Sequence, residues 1–179
     1  NLCIDFLENR TDKKTVDLCS GSGAIAVALD KISGAKVTAV EIDETAFSYL
    51  ETNVKENNSS VKPVMADALE ICDTFADGEL DLIVSNPPYI KSADIETLQK
   101  EVQLEPRLAL DGGEDGCDFY REIVSRWSRK LKKGGALAFE LGENQADAVK
   151  ALMAEQGFSD FKISLDFGGV QRAIIGTLL

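Results

Sequence analysis

Asn86-Pro87-Pro88-Tyr89 directly follows the apolar run Leu80–Ser85. These residue types suit one kind of chemistry. The lone pair of an amide or aromatic amine is delocalised, so its nitrogen attacks poorly. Acceptors that hold both N–H groups orient that nitrogen and favour pyramidalisation. Asn86 offers a side-chain carbonyl and Pro87 a backbone carbonyl. The two prolines fix the local backbone and bring no competing N–H. Tyr89 offers a flat face to a planar substrate. Such a corner fits in-line transfer of a small group from an electrophilic donor, helped by proximity and electrostatics. Transfer of that kind needs no general base beforehand, and the chain has no histidine. The plain alternative is a Pro-Pro turn leaving a strand, with Asn86 as a turn residue.

A second set of residues could hold the donor. Asp17-Leu-Cys-Ser-Gly-Ser-Gly-Ala-Ile-Ala26 falls where an apolar strand turns into a helical stretch. Gly21 and Gly23 would let backbone approach a ligand where a side chain would block it. Glu41, twenty residues past Gly21, closes the next strand and could accept from two ribose hydroxyls. Gly21–Ala26 with Glu41 also fits the G-x-G-x-x-A dinucleotide fingerprint. Asp17 weighs between NAD and S-adenosylmethionine. A carboxylate ending the first strand suits the ammonium and sulfonium charges of S-adenosylmethionine and would face a pyrophosphate badly. Asp67, after the third strand, could accept from an adenine amine or simply cap the segment that follows.

These residues need a scaffold that brings strand ends together. Short apolar runs read as strands at Thr15–Leu18, Lys36–Glu41, Val61–Met65, Leu80–Ser85, Ala136–Leu141, Phe161–Leu165 and Ala173–Leu178. Between them Phe47, Leu50 and Val54 recur at helical spacing, as do Phe119, Ile123, Trp127 and Leu131, and Ala146, Val149 and Leu152/Met153. Lys132-Lys-Gly-Gly135 reads as a helix C-terminus with glycine stops. Strands alternating with helices imply a parallel sheet covered on both faces. The last two strands have no helix between them, only Asp166-Phe-Gly-Gly-Val-Gln-Arg172, so the last strand should run antiparallel. The expectation is an α/β chain with a seven-stranded, mostly parallel Rossmann-like sheet and an antiparallel last strand. That is the S-adenosylmethionine-dependent methyltransferase variant of the doubly wound fold.

Composition narrows the field. The 179 residues carry 19 Lys+Arg against 31 Asp+Glu, a formal net charge of −12. That balance argues against nonspecific duplex-DNA binding, which needs cationic surface. Without histidine there is no Ser-His-Asp triad and no imidazole-ligated metal. With 44 % hydrophobic residues the chain is a folded one. Its length suits a single domain, 1–179. Cys3, Cys19, Cys72 and Cys117 form no C-x-x-C pair and read as reduced thiols in a cytoplasmic protein. No apolar run approaches the roughly 20 residues of a membrane span, and the first ten residues do not read as a signal peptide.

Two further signals carry less. Asp111–Glu122 partly matches a calcium loop, but Gly113 stands where a ligand is needed, so it reads as a flexible acidic loop capping the next helix. The cluster Arg126, Arg129, Lys130, Lys132 and Lys133 reads as a solvated helix end.

Taken together, Asp17–Ala26, Asn86–Ile90 and the run Glu105-Pro-Arg-Leu-Ala-Leu-Asp-Gly-Gly-Glu-Asp-Gly-Cys-Asp-Phe-Tyr120 resemble the release-factor glutamine methyltransferases. The tail Asp166–Arg172 is similar to theirs too. The glycine loop is common to many methyltransferases, and N-P-P-Y is shared with enzymes acting on amines of DNA and RNA; the Glu105–Tyr120 run is the specific part. The resemblance implies methylation, with S-adenosylmethionine, of the glutamine side-chain amide in the Gly-Gly-Gln motif of class 1 peptide chain release factors. Adenine exocyclic-amine methylation is the alternative, and nucleic acid is the less expected partner at this charge. By the same resemblance Cys19, Ser20, Gly21, Ser22 and Gly23 line the cofactor, Glu41 holds its ribose, and Asp67 and Ala68 lie by its adenine. Asn86, Pro87, Pro88 and Tyr89 hold the glutamine amide. Cys19 stands where many members have glycine. Family members also carry a small helical domain ahead of this one, so this sequence reads as the catalytic domain alone.

Overall fold

The computed structural model describes Asn1–Leu179. Its frame is one seven-stranded sheet: β1 (Lys14–Leu18), β2 (Lys36–Glu41), β3 (Lys62–Met65), β4 (Leu80–Ser85), β5 (Leu131–Glu140), β6 (Phe158–Leu165) and β7 (Gln171–Leu178). The strand order is β3-β2-β1-β4-β5-β7-β6. The first five strands are mutually parallel, and β7 runs antiparallel to both its neighbours, β5 and β6. The hairpin expected at Asp166–Arg172 is present. Asp166 Oδ1 accepts from the amides of Gly168 and Val170 and so closes the turn locally.

Side-chain alternation explains why the central strands read as continuous apolar runs. In β4, Leu82 and Val84 face one layer and Ile83 the other; in β5, Ala136 and Ala138 oppose Leu137 and Phe139. Both faces are buried, as a parallel sheet with helices on each side requires. One layer is α1 (Leu2–Leu7), α2 (Ala24–Ser33) and α3 (Glu44–Glu56), which bury Leu7, Ala26, Leu29 and Leu50. The opposite layer is α5 (Asp118–Trp127) and α6 (Ala146–Glu155), which bury Tyr120, Ile123, Trp127, Val149 and Met153. A short α4 (Arg107–Leu110) lies between β4 and α5. No helix is long and apolar enough to cross a membrane. All four cysteines are unpaired.

Three readings are corrected. Lys132–Gly135 does not end a helix. Helix α5 stops at Trp127, a single 3-10 turn follows, and Leu131 already pairs with Leu80. The next pairing in register is Leu82 with Ala136, so the lysines and glycines bulge out of a strand. Consequently the basic cluster is not uniformly solvated. Lys130 is buried, and its Nζ donates to the Phe75 carbonyl and to Asp77, both at 2.8 Å. Lys132 bonds Asp81 at 2.8 Å. The acidic loop 111–118 is tied down rather than loose. Asp111 accepts from Ser92, Arg107 and the Gly113 amide, and Asp115 and Asp118 pair with Arg121. These bonds hold the Asp115 carboxyl at about 2.

Candidate active site

The strand order reverses between the parallel neighbours β1 and β4, and open α/β sheets bind ligands outside the carboxyl ends of strands at such a point. The carboxyl ends of β1, β2, β3 and β4 converge there. Ser85, the last residue of β4, donates from Oγ to the Leu18 carbonyl at 2.8 Å. Ser20 N bonds the Val40 carbonyl at 3.0 Å, and Ala66 N bonds the Glu41 carbonyl at 3.0 Å. These bonds fix the loops leaving the four strands around a cavity of about 450 Å³.

The cavity is lined by Cys19, Ser20, Gly21, Ser22, Glu41, Asp67, Ala68, Asn86 and Pro88 among others. Glu41, Asp43, Asp67 and Glu105 face it, and no lysine or arginine does. Glu41 accepts from Gly21 N at 2.7 Å, and from Ile42 N and Asp43 N at 2.9 Å each. Asp67 Oδ1 accepts from Leu69 N at 2.7 Å, closing the turn ahead of the 3-10 helix Ile71–Thr74, whose N-cap is Glu70, while Asp67 still borders the cavity. The Ser20 hydroxyl is buried at the wall without a partner. Burial pushes the Cys19 thiol up to about 12, so it is held as a neutral thiol.

Two residues expected against a cofactor lie elsewhere. Gly23 is buried and outside the cavity lining; a Cβ there would collide with Leu50 Cδ1, so this glycine serves the packing of α2 on α3 and, at φ +79°, starts α2. Gly21, at φ +54°, is the glycine of close approach, since a Cβ there meets no protein atom within 4 Å. Asp17 is fully buried and outside the cavity lining, with both carboxylate oxygens unpartnered. Burial pushes its carboxyl up to about 8. The nearby Ala26 amide favours the charged form without completing a hydrogen bond, and the Glu41 charge opposes it.

At the β4 end the four corner residues divide. Asn86 is exposed into the cleft, Pro87 and Pro88 are buried, and Tyr89 is half-buried. The Asn86 carboxamide and the Pro87 carbonyl enter no hydrogen bond within the protein. Tyr89 directs its hydroxyl towards Glu140 Oε1 at 3.4 Å; burial and that carboxylate raise its pKa. Sequence reasoning gave no site role to the residues behind this corner, Gln145, Tyr120 and Glu140. The run Glu105–Tyr120, singled out only for the resemblance, supplies Glu105, Pro106, Leu108, Ala109 and Phe119 to the cavity wall.

A family model described as Methyltransferase small domain matches residues 1–159. The chain belongs to this methyltransferase family. Among curated relatives, a release factor glutamine methyltransferase of Geobacter sulfurreducens is 42% identical over 165 residues, 91% of this chain and 57% of that protein. One from Clostridium acetobutylicum is 36% identical over 177 residues, 96% of this chain and 61% of that protein. The chain thus spans about three fifths of the length of these relatives. A methyltransferase crystal structure from Pyrococcus furiosus superposes with a TM-score of 0.73 at 24% identity, covering 97% of this chain and 79% of that one. A precorrin-6y C5,15-methyltransferase from Geobacter metallireducens superposes at 0.71 and 14% identity, covering 99% and 86%. Such likenesses carry the methyltransferase fold, which the sheet order and its antiparallel β7 already display.

Proposed function

We propose that this methyltransferase domain binds S-adenosylmethionine and transfers its methyl group to the side-chain amide of the glutamine in the Gly-Gly-Gln motif of class 1 release factors. The observation that carries the reading is the free Asn86 carboxamide in the lining of an acid-lined cavity, followed directly by a Pro87 carbonyl that enters no hydrogen bond. The names of the relatives support the choice of glutamine over adenine, as does the net charge of −12.

The cavity residues fit the cofactor. Four carboxylates and no cation favour a sulfonium and an ammonium over a pyrophosphate. The residues that would hold it are Cys19, Ser20, Gly21 and Ser22 of the loop, Glu41 at the ribose, and Asp67 and Ala68 at the adenine. The unpartnered Ser20 hydroxyl and the open space at Gly21 support that placement. When bound, S-adenosylmethionine supplies an electrophilic methyl group on a positively charged sulfur.

The protein's own contribution is positional. Asn86 and Pro87 each present an oxygen to one N–H of the substrate carboxamide. Holding both hydrogens turns the nitrogen lone pair out of conjugation and aims it. Tyr89 packs its ring on the amide plane. Proximity of this order supplies much of the rate in two-substrate transfers. A cytoplasmic setting suits the four unpaired thiols.

The test incubates the protein with S-adenosylmethionine and a class 1 release factor, with an adenine-containing oligonucleotide alongside. Fragmentation mass spectrometry should find a single methyl group on the glutamine and none on the oligonucleotide. Methyl on the oligonucleotide alone would reassign the substrate.

A further inference from the structure

The methyl-accepting corner has little main-chain support of its own. From Asn86 to the amide of Tyr89, no backbone group forms a hydrogen bond. The prolines fix two φ angles and bias the ψ of Asn86 and Pro87 to the extended region, but they supply no N–H. The first main-chain group past β4 that is held is the carbonyl of Tyr89, and it is held by a side chain far along the sequence. Gln145, just before α6, donates from Nε2 to Tyr89 O at 2.9 Å and to Gly116 O at 3.1 Å. Its Oε1 accepts from Gly142 N at 2.9 Å and from the Tyr120 hydroxyl at 3.2 Å. Tyr120 shares that hydroxyl with the Glu140 carbonyl at 2.9 Å. Gln145 and Tyr120 are both buried. One carboxamide thus spends both donors and its acceptor oxygen inside the protein.

The chain also closes against the back of the corner. A Cβ on Gly112 would lie 2.7 Å from Tyr89 Cα and 2.9 Å from Pro88 O. A Cβ on Gly116 would lie 2.5 Å from Tyr89 O and 2.7 Å from Gln145 Nε2. Ile90 N bonds Leu110 O at 2.9 Å, and Gly112 N bonds Ile90 O at 2.8 Å. The loop 110–116 and Gln145 therefore form one backing plate.

We infer that Gln145 is a positioning residue for methyl transfer: by clamping the Tyr89 carbonyl to the 110–116 loop it sets where the Asn86 and Pro87 oxygens stand. This rests on the reading of the corner given above. It makes Gln145 act on turnover and not on cofactor affinity, because it lies outside the cofactor cavity.

The test uses Gln145→Glu and Gln145→Met in the full chain. Glu keeps an acceptor for Gly142 N and Tyr120 but sets an oxygen against the Tyr89 and Gly116 carbonyls; Met keeps length and loses every bond. The expected result is a kcat lower by about 30-fold or more, since misplacing reacting groups by about 1 Å can cost on the order of 100-fold. The KM for the release factor and the Kd for S-adenosylhomocysteine should stay within about three-fold. In Gln145→Glu, amide exchange at Ile90 and Gly112 should accelerate about ten-fold while Gly142 stays protected, a local pattern that general loosening would not produce. A kcat within two-fold of the unaltered chain, or a loss of cofactor affinity equal to the loss of kcat, would overturn the inference. So would failure of both variants to fold, which would make Gln145 a folding residue. If the unaltered chain methylates no release factor, the substrate reading fails by itself. The Gln145 inference then stands on the amide-exchange pattern, and unchanged protection at Ile90 overturns it.

Discussion

Glu41 Oε2 accepts a hydrogen bond from the Gly21 amide at 2.7 Å, joining the end of β2 to the glycine loop. Its other oxygen accepts from Ile42 N and Asp43 N. A carboxylate has about four acceptor sites, so roughly one is left for a ligand hydroxyl. That leaves room for about one of the two ribose contacts expected from the sequence, and it gives Glu41 a second task, holding Gly21 at the cavity wall.

Glu41→Ala should therefore weaken S-adenosylhomocysteine binding and folding together. Loss of a hydrogen bond to a charged group predicts about 1–3 kcal/mol in binding, roughly 5- to 150-fold in Kd. Calorimetry and a denaturant melt measure the two effects. Unchanged affinity would remove Glu41 from the cofactor site.

Asn86→Ala should abolish transfer to glutamine while leaving the affinity for S-adenosylhomocysteine within about a few-fold, because the side chain serves the acceptor nitrogen. Parallel turnover and calorimetry decide it. An equal loss in both would place Asn86 with the cofactor and not with the substrate.

Gly21→Ala and Gly23→Ala should differ in kind. At Gly23 the added methyl strikes Leu50, so the loss should appear in stability, about 1–3 kcal/mol, the range for overpacking. At Gly21 the methyl meets no protein atom, so stability should fall by only about 1 kcal/mol from backbone strain, with the larger loss in cofactor affinity. Thermal melts with and without S-adenosylhomocysteine separate the two.

Asp17 gives a pH signature. An ordinary aspartate ionises near 3.8, whereas burial pushes the folded Asp17 carboxyl up to about 8. Between those values the folded state keeps a proton that the unfolded chain has released. Unfolding therefore becomes easier as pH rises through that window, and the stability held at acid pH is lost by the time the folded carboxyl ionises. Asp17→Asn removes this dependence. The Tm gain of the variant over the unaltered protein should be larger at pH 8.5 than at pH 5. A gain that does not change with pH would show the carboxyl already ionised in the folded state.

The sequence by itself determined the sheet and the corner. Runs such as Leu80–Ser85 are buried on both faces, so apolar side chains follow one another there, Leu82, Ile83 and Val84 in succession, and the strand is legible in the sequence. The missing helix between Phe161 and Leu178 was enough to set β7 antiparallel. Asn86, Glu41 and Gly21 were legible because each sits at a strand end in a short local pattern. Where local pattern and tertiary packing compete, the sequence misled: Lys132–Gly135 has the composition of a helix stop, yet pairing of Leu131 with Leu80 draws it into β5. Gly23 resembles a ligand-facing glycine until Leu50, a residue of another helix, is seen against it. Only the fold decided what stands behind the corner. Gln145 is 56 residues from Tyr89 and 29 from Gly116. No periodicity or spacing links residues that far apart; a saturated buried carboxamide becomes visible only when the stretches around Tyr89, Gly116–Tyr120 and Gly142–Gln145 close together.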